Sequence, residues 1–401
     1  MVKIAILGYG TVGSGVFEVI RQNKDVITGK INEAIEVKYV LDLKTFEDDP
    51  VTEVLTNSFD DIVNDPEVEI VCETMGGVKP AYEFTRRALE KGKSVCTSNK
   101  ELVEMHGPEL LKLAKANNCS YLFEASVGGG IPIIRPLRTS LAQEEILSIT
   151  GILNGTTNYI LTKMETEGLA FADVLKRAQE KGYAEKNPDA DVLGFDACRK
   201  IAILTSLAYG KNVSYADILT EGITAITDTD FAYMKKLGAT IKLFAKSLKK
   251  GDKYYAIVAP FVVTDENPLF GVNGVYNAIL LNCNMGGETM YYGKGAGKLA
   301  TASAVVADVL DCARHIGKNL DTRWDEEKLE ISPVDSFVRR FFVRVSGNDR
   351  AAAADAFGEI TFIDGVAEGE CGFITGEMSE ADYREKAAKA GNVIAMIRMD
   401  S

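Results

Sequence analysis

The chain opens with Lys3-Ile4-Ala5-Ile6-Leu7-Gly8-Tyr9-Gly10-Thr11-Val12-Gly13, a short β-rich apolar run that enters a G-x-G-x-x-G turn. Val16 to Arg21 then carries apolar residues at helical spacing. A strand before the glycines and a helix after them form the context that distinguishes a dinucleotide site from a chance match. Gly8 permits the tight turn, Gly10 lets backbone approach a pyrophosphate, and Gly13 allows close helix–strand packing. The N-terminus of the following helix faces the phosphates. The stretch predicts an α/β protein with an N-terminal Rossmann domain.

Working outward, Glu36 to Leu41 reads as the second strand and ends at Asp42-Leu43-Lys44. The end of that strand chooses between a ribose 2′-hydroxyl and a 2′-phosphate. Asp42 would accept from a hydroxyl and Lys44 could meet a phosphate, so NAD and NADP both stay open. Ile70 to Gly77 reads as a strand ending in a glycine turn, and Pro80 to Lys91 as a helix. Ser94-Val95-Cys96-Thr97-Ser98-Asn99-Lys100 is a further strand and turn that leaves Lys100 beyond a strand's carboxyl end, where ligands of open α/β sheets sit. The plainer alternative for Lys100 is a surface lysine flanking a helix.

Composition narrows the class. The 401 residues allow two or three domains, and 46% apolar with 26% charged residues excludes a disordered chain. A net charge of −13 argues against nucleic acid or an anionic membrane surface as partner. No apolar run is long enough to cross a bilayer, and Met1 to Leu7 turns glycine-rich too soon for a signal peptide. Seven scattered cysteines without metal or redox spacing fit reduced thiols in a cytoplasmic protein. His106 and His315 are the only histidines, which makes a histidine metal site improbable.

Three later stretches carry chemistry. Tyr121 to Pro132 runs a strand into Gly128-Gly129-Gly130, whose exposed carbonyls could ligate a small hard cation or simply form a hinge. Ile149 to Leu161 turns strand into helix, with Thr156 or Thr157 as the expected N-cap. Gly182 to Lys200 gathers Glu185, Asp189, Asp191 and Asp196 beside Lys200, between two apolar-periodic segments. Asp196 and Lys200 are four apart and share a helix face. Taken alone, that stretch could be a solvated acidic loop with one surface ion pair.

Together these residues resemble one family, homoserine dehydrogenase. The resemblance rests on G-Y-G-T-V-G at 8–13, S-N-K at 98–100, E-A-S-V-G-G-G-I-P at 124–132 and G-I-L-N-G-T-T-N-Y-I-L at 151–161. It continues through Gly182 to Lys200 and the glycine cluster Gly293 to Gly297. It implies a Rossmann domain over 1–132, with a helix at 297–317 packing back on it, and an α+β catalytic and dimerisation domain with a mixed sheet over 133–296. The implied reaction is reversible reduction of L-aspartate 4-semialdehyde to L-homoserine with NAD(P), on the route to threonine, isoleucine and methionine. A homodimer or homotetramer follows from the same resemblance.

The chemistry explains the residue types. Hydride reaches an aldehyde carbon while its oxygen gains a proton, so a donor must stand beside that oxygen, and a lysine can both donate and stabilise developing alkoxide. By the resemblance, Lys200 is the acid–base residue and Lys100 its partner near the nicotinamide. Glu185, Asp191 and Asp196 bind the substrate, and Asp191 also steadies Lys200. Coenzyme contacts fall to Gly8, Gly10, Thr11, Val12, Gly13, Asp42, Lys44, Thr97, Ser98, Lys100, Gly182, Glu185 and Gly297. Glu124, Val127, Gly129 and Ile131 match positions that hold a monovalent cation, sodium, through backbone carbonyls. Two departures stand out. The family's Glu-Pro-Asp-Pro reads Glu185-Lys186-Asn187-Pro188, and Leu41 replaces an arginine that many members use to grip a 2′-phosphate.

Beyond Trp324 the pattern changes to strand, helix, strand, strand, helix, strand: Phe341 to Val345, Arg350 to Phe357, Ile360 to Ile363, Glu370 to Thr375, Ser379 to Ala390 and Asn392 to Met399. That order is ferredoxin-like and resembles an ACT-type regulatory or assembly module at 337–401, able to fold semi-independently. The acidic-x-Pro-Gly turn of such modules is replaced by Gly347-Asn348-Asp349-Arg350. Two rival readings are another Rossmann reductase of small amino-acid intermediates and a catalytically silent amino-acid sensor. The first has no reason to contain the 151–161 run. The second predicts loss of Lys100, Glu185, Asp196 or Lys200, all of which are present.

Overall fold

The computed structural model describes residues 1–400 and divides into two compact units. The first comprises 1–145, 202–214 and 291–329, and the second 146–201, 215–290 and 330–401.

In the first unit six parallel strands lie in the order Leu55–Thr56, Ile35–Leu41, Val2–Leu7, Val68–Glu73, Ser94–Thr97, Tyr121–Leu122. Numbered along the chain this is 3-2-1-4-5-6, the doubly wound order whose ligand crevice opens where the direction of addition reverses, beside Val2–Leu7. Ile4, Ala5, Ile6 and Leu7 are all fully buried, as a central parallel strand covered on both faces requires. The helices Thr11–Gln22 and Lys298–Arg314 cover one face, with Val16, Ile20, Ala302, Val305 and Val309 in its core. Gly15 makes their contact possible: a Cβ there would stand 2.9 Å from both the Ala302 Cβ and the Lys298 carbonyl.

The second unit is built on a ten-stranded mixed sheet that runs from Gly287–Lys294 through Tyr276–Cys283, Ile146–Ile152, Ala239–Lys250 and Lys253–Thr264 to the C-terminal strands. Ala239–Lys250 and Lys253–Thr264, twelve residues each, form a hairpin around a two-residue turn, with Gly251 at φ +60°. Sequence alternation does not reveal this hairpin, because both strands are buried almost throughout and the first carries a lysine inside. Lys242 is 1% exposed and donates to the Val272 carbonyl and Asn273 Oδ1, at 2.8 and 2.7 Å.

The C-terminal segment has the predicted order. Val393–Met399, Phe341–Ser346, Glu370–Thr375 and Ile360–Ile363 pair antiparallel as 4-1-3-2, the ferredoxin-like arrangement, over a core of Phe341, Val343, Phe357, Phe373 and Tyr383. Where the sequence suggests a separate module over 337–401, the last strand instead continues the sheet of the second unit. It pairs parallel to Lys253–Thr264 through Phe261↔Arg398 and Val262↔Met399. Buried charges fix this register. Arg398 is 1% exposed and forks between Glu221 (2.6 and 2.8 Å) and Glu380 (2.9 and 2.7 Å). Arg344 reaches Asp230 at 2.6 Å and Glu370 at 2.8 Å.

Candidate active site

The coenzyme side belongs to the first unit. Gly8 holds φ +91°, and the Thr74 hydroxyl donates to the carbonyls of Leu7 and Gly8, at 2.9 Å each, tying the turn to the next strand. A Cβ on Gly13 would lie 1.9 Å from the Gly8 carbonyl oxygen, whereas a Cβ on Gly10 would meet nothing within 4 Å. Gly13 therefore serves the fold, and Gly10 leaves room at the helix N-terminus for an anion. Thr11 and Val12 open that helix.

Asp42 has a second task that the sequence does not reveal. Its carboxylate accepts the Tyr9 N–H at 2.8 Å and the Lys44 N–H at 3.0 Å, so it braces the glycine turn. Burial acts to raise its pKa, but the N–H groups of Lys44, Tyr9 and Leu43 outweigh it and hold the carboxylate below its ordinary value. Leu41 is 7% exposed within its strand, while Leu43 is 91% exposed just after it. The expectation that position 41 faces the adenosine ribose is corrected accordingly. The side chains available beyond the strand are those of Leu43 and Lys44.

Thr97 has a structural task as well. Its side chain is buried and donates to Glu73 Oε2 at 2.5 Å, and its hydroxyl oxygen accepts the Asn99 N–H at 2.9 Å. Asn99 in turn caps the helix Lys100–Ala116 by accepting the Leu102 N–H, and its amide donates to the Gly77 carbonyl at 2.6 Å. Lys100 is thus the first residue of a helix whose start is tied back to a buried carboxyl. Glu73, which the sequence reading passes over, is pushed up to about 7 by burial, against hydrogen bonds from Thr97, Met75 and Asn99. Ser98 lies between them, half-buried.

The triple glycine packs on the later glycine cluster. The Gly130 N–H donates to the Lys294 carbonyl at 3.1 Å, and a Cβ on Gly129 would stand 2.4 Å from the Gly295 carbonyl oxygen. The Glu124 carboxylate accepts the N–H groups of Ile133, Ile134 and Arg135 at 2.5–2.9 Å, capping Ile134–Arg138. Its side chain is therefore committed, and only backbone carbonyls of this turn suit a cation. Gly297, at φ +121°, precedes Lys298–Arg314. Among the described residues no cluster of three or more His, Cys, Asp or Glu side chains is placed to hold a metal.

The second unit carries Asp196 and Lys200. Gly194, at φ +86°, turns the chain into the helix Phe195–Tyr209, which carries Asp196 and Lys200 on one face as their spacing predicts. Lys200 Nζ donates to Asp196 Oδ2 at 2.6 Å and to the Leu153 carbonyl at 2.8 Å, with its side chain 12% exposed. The acidic stretch is therefore no plain solvated loop. Asp191 differs from expectation: its carboxylate meets the Asn154 amide at 2.7 Å, and the same amide reaches Asp196 Oδ2 at 2.9 Å. Asp191 acts on Lys200 through that amide and through space. Burial, reinforced by the charge of Asp196, raises the Asp191 pKa against the Asn154 hydrogen bond and the charge of Lys200.

Asn154 is the residue sequence reasoning missed here. It also caps the helix Gly155–Glu167 by accepting the Thr157 N–H at 2.9 Å, in place of the expected Thr156 or Thr157. Thr156 instead donates to the Tyr183 carbonyl at 2.7 Å, beside Gly182 at φ +73°. Glu185 is exposed on the bend that follows. The structure thus gathers Lys200, Asp196, Asp191 and Asn154 in one unit, and places the glycine turn, Thr97, Ser98 and Lys100 in the other.

Comparison with known proteins finds two family models along the chain. Residues 8–124 match the family model "Homoserine dehydrogenase, NAD binding domain" and 132–310 the model "Homoserine dehydrogenase". The chain is similar to the homoserine dehydrogenase of Synechocystis, at 40% identity over 96% of this chain and 94% of that one. The chain belongs to the homoserine dehydrogenase family. Its structure resembles the homoserine dehydrogenase of Thiobacillus denitrificans, with a TM-score of 0.89, 33% identity and coverage of 100% and 98% of the two chains. A hyperthermophilic archaeal homoserine dehydrogenase in complex with NADPH aligns at a TM-score of 0.66 and 29% identity, over 78% of this chain and 97% of that one. Membership makes this an NAD(P)-dependent oxidoreductase that interconverts L-aspartate 4-semialdehyde and L-homoserine, and it disposes of the reading as a silent sensor.

Proposed function

We propose that Lys200 is the acid–base residue of homoserine dehydrogenation. The observation that carries this reading is the seat of its ammonium between Asp196 and the Leu153 carbonyl, at 2.6 and 2.8 Å. Those two acceptors account for two of the three N–H bonds of a lysine ammonium, and the third serves the substrate oxygen. When bound, NAD(P) supplies the hydride in reduction and takes it in oxidation. In reduction Lys200 gives a proton to the aldehyde oxygen as the hydroxyl forms, and in oxidation it takes that proton back. The Asn154 amide donates to both Asp191 and Asp196 and offsets part of their repulsion, which helps hold Asp196 against Lys200. Asp196 is largely neutralised by that pairing. The substrate α-ammonium therefore falls to Glu185 and Asp191.

Coenzyme binding is supported by the open space at Gly10 and by the helix N-terminus at Thr11 and Val12. Backbone at Ser98, Gly182 and Gly297, with Asp42 and Lys44 at the ribose, completes our reading, and Lys100 faces the nicotinamide end. We assign a monovalent cation such as sodium to the backbone carbonyls of Glu124, Val127, Gly129 and Ile131, which belong to one buried turn with two left-handed glycines. We also assign the catalytic domain to 133–296, and to the 337–401 segment an ACT-like assembly or regulatory role. Self-association into a dimer or tetramer is supported by Met285, Met290 and Tyr292, which expose apolar surface around one hairpin. Seven free, buried cysteines suit a cytoplasmic location, and no helix among the described residues is long and apolar enough to cross a membrane.

The test is spectrophotometric: homoserine oxidation followed with NAD and NADP side by side, for wild type and Lys200→Met. Loss of a positioned acid–base group costs ~10²–10⁴-fold in kcat, and coenzyme affinity measured by fluorescence should stay near that of wild type. A variant within a few-fold of wild-type kcat would remove Lys200 from the mechanism.

A further inference from the structure

A cavity of about 220 Å³ lies within the second unit. The catalytic sheet lines it with Ser148, Thr150, Lys246 and Ser247, and the C-terminal segment with Arg339 and Asp400. Each of the other two buried arginines in this unit, Arg344 and Arg398, holds carboxylates at hydrogen-bond distance. Arg339 does not. It is 6% exposed, its Nε is buried with no hydrogen-bond partner, and no carboxylate pairs with it among the described residues. Two rings hold the guanidinium instead, Phe337 at 4.7 Å and Phe261 at 5.6 Å. They fix its position without neutralising its charge. Ser247 Oγ is likewise buried without a partner, while Lys246 and Asp400 pair with each other. Among the described residues the polar lining thus counts two cations against one carboxylate, one negative charge fewer than it has positive.

We propose that this cavity binds a small organic carboxylate, with Arg339 as the bidentate partner of the ligand's carboxylate group. A guanidinium matches a carboxylate with two parallel hydrogen bonds, and an isolated buried charge is costly unless paired. The cost is visible in Arg339 itself: burial, then the neighbouring charge of Arg398, pushes its pKa down to about 10. The volume is below the range of roughly 300–1,000 Å³ for drug-sized ligands, which limits the guest to a few carbons. Leu248, Ile257 and Met399 give its hydrocarbon part an apolar wall, which favours an organic acid over inorganic phosphate.

The probes are propanoate and L-alanine, with inorganic phosphate as comparator, titrated into the full chain by calorimetry and by thermal shift. We expect saturable binding of a carboxylate probe at one per chain, with a rise in Tm. Arg339→Met should bind ~10-fold or more weakly, the scale of a lost charge-assisted pair. Without ligand its Tm should equal or exceed that of wild type, since an unpaired buried charge is gone. Should that variant fail to fold, Ser148→Phe keeps Arg339 and fills the cavity from the sheet side, and it too should lose binding. Propanoate binding alone would mark a plain carboxylate site, and tighter L-alanine binding would mark one that also uses Asp400 for an ammonium; either supports the proposal. Equal titrations for wild type and variant, no saturable response to either carboxylate, or tighter binding of phosphate would overturn it.

Discussion

At Glu73 a carboxyl lies fully buried between the ends of two strands, holding the Thr97 hydroxyl at 2.5 Å and the Met75 N–H at 2.8 Å. Its pKa of about 7 in the folded chain exceeds the value of 4.5 for an ordinary glutamate. For an acid shifted upward, the stabilising contribution is complete below about 4.5 and is lost as pH rises through about 7. Glu73→Gln cannot ionise. Its stability relative to wild type is therefore expected to increase between those two pH values and to level off above them. The rise should be on the order of 3 kcal/mol, since each unit is worth about 1.4 kcal/mol. Urea unfolding at several pH values measures it, and a difference that stays flat with pH would show that Glu73 titrates normally. The same residue explains why Lys100 was legible as a ligand-edge lysine while its support was not. The chain Glu73–Thr97–Asn99 crosses between strands 20 or more residues apart, and no local pattern records such a crossing.

At the scale of the element, the glycines of the first turn divide their labour. Gly13→Ala places a methyl 1.9 Å from the Gly8 carbonyl oxygen, so the helix Thr11–Gln22 must move away from its strand. Gly10→Ala meets nothing within 4 Å and holds φ −76°, which alanine tolerates. The expected outcome is a lowered Tm for Gly13→Ala, and for Gly10→Ala an unchanged Tm with weakened NAD(P) binding. Overpacking costs about 1–3 kcal/mol, enough to see by thermal unfolding. Equal Tm losses in the two variants would sink this division. Strand–turn–helix was readable here because its signals are consecutive. The hairpin of Ala239–Lys250 and Lys253–Thr264 was not, because burial on both faces erases the period-two alternation that marks a half-exposed strand.

For the molecule as a whole, the C-terminal segment is bound to the catalytic sheet by more than pairing at two residues. Asp230 is fully buried and takes Arg344 at 2.6 Å, so deletion after Ser336 takes away its guanidinium partner together with part of what covers it. Breaking such a pair from one side costs about 3–5 kcal/mol. The truncated chain is therefore expected to unfold at clearly lower urea than the full chain, and Asp230→Asn in the truncated background should recover part of the loss. This revises the simpler expectation of a module removable without consequence. Identical midpoints for full and truncated chains would restore it.

The sequence by itself determined the Rossmann turn, the order of elements in the C-terminal segment, the family, and the pairing of Asp196 with Lys200. Each of these depends on neighbours within a few residues, or on motifs whose geometry is fixed by local backbone. Only the tertiary structure decided that Asn154 joins Asp191 to Asp196, that Leu41 is turned inward, and that the last strand extends the catalytic sheet. It alone set Arg339 apart from Arg344 and Arg398, three arginines that read alike along the chain. The reason is physical. Whether a charge is paired depends on which distant segment folds against it, and the energy of that pairing exists only once water has been excluded.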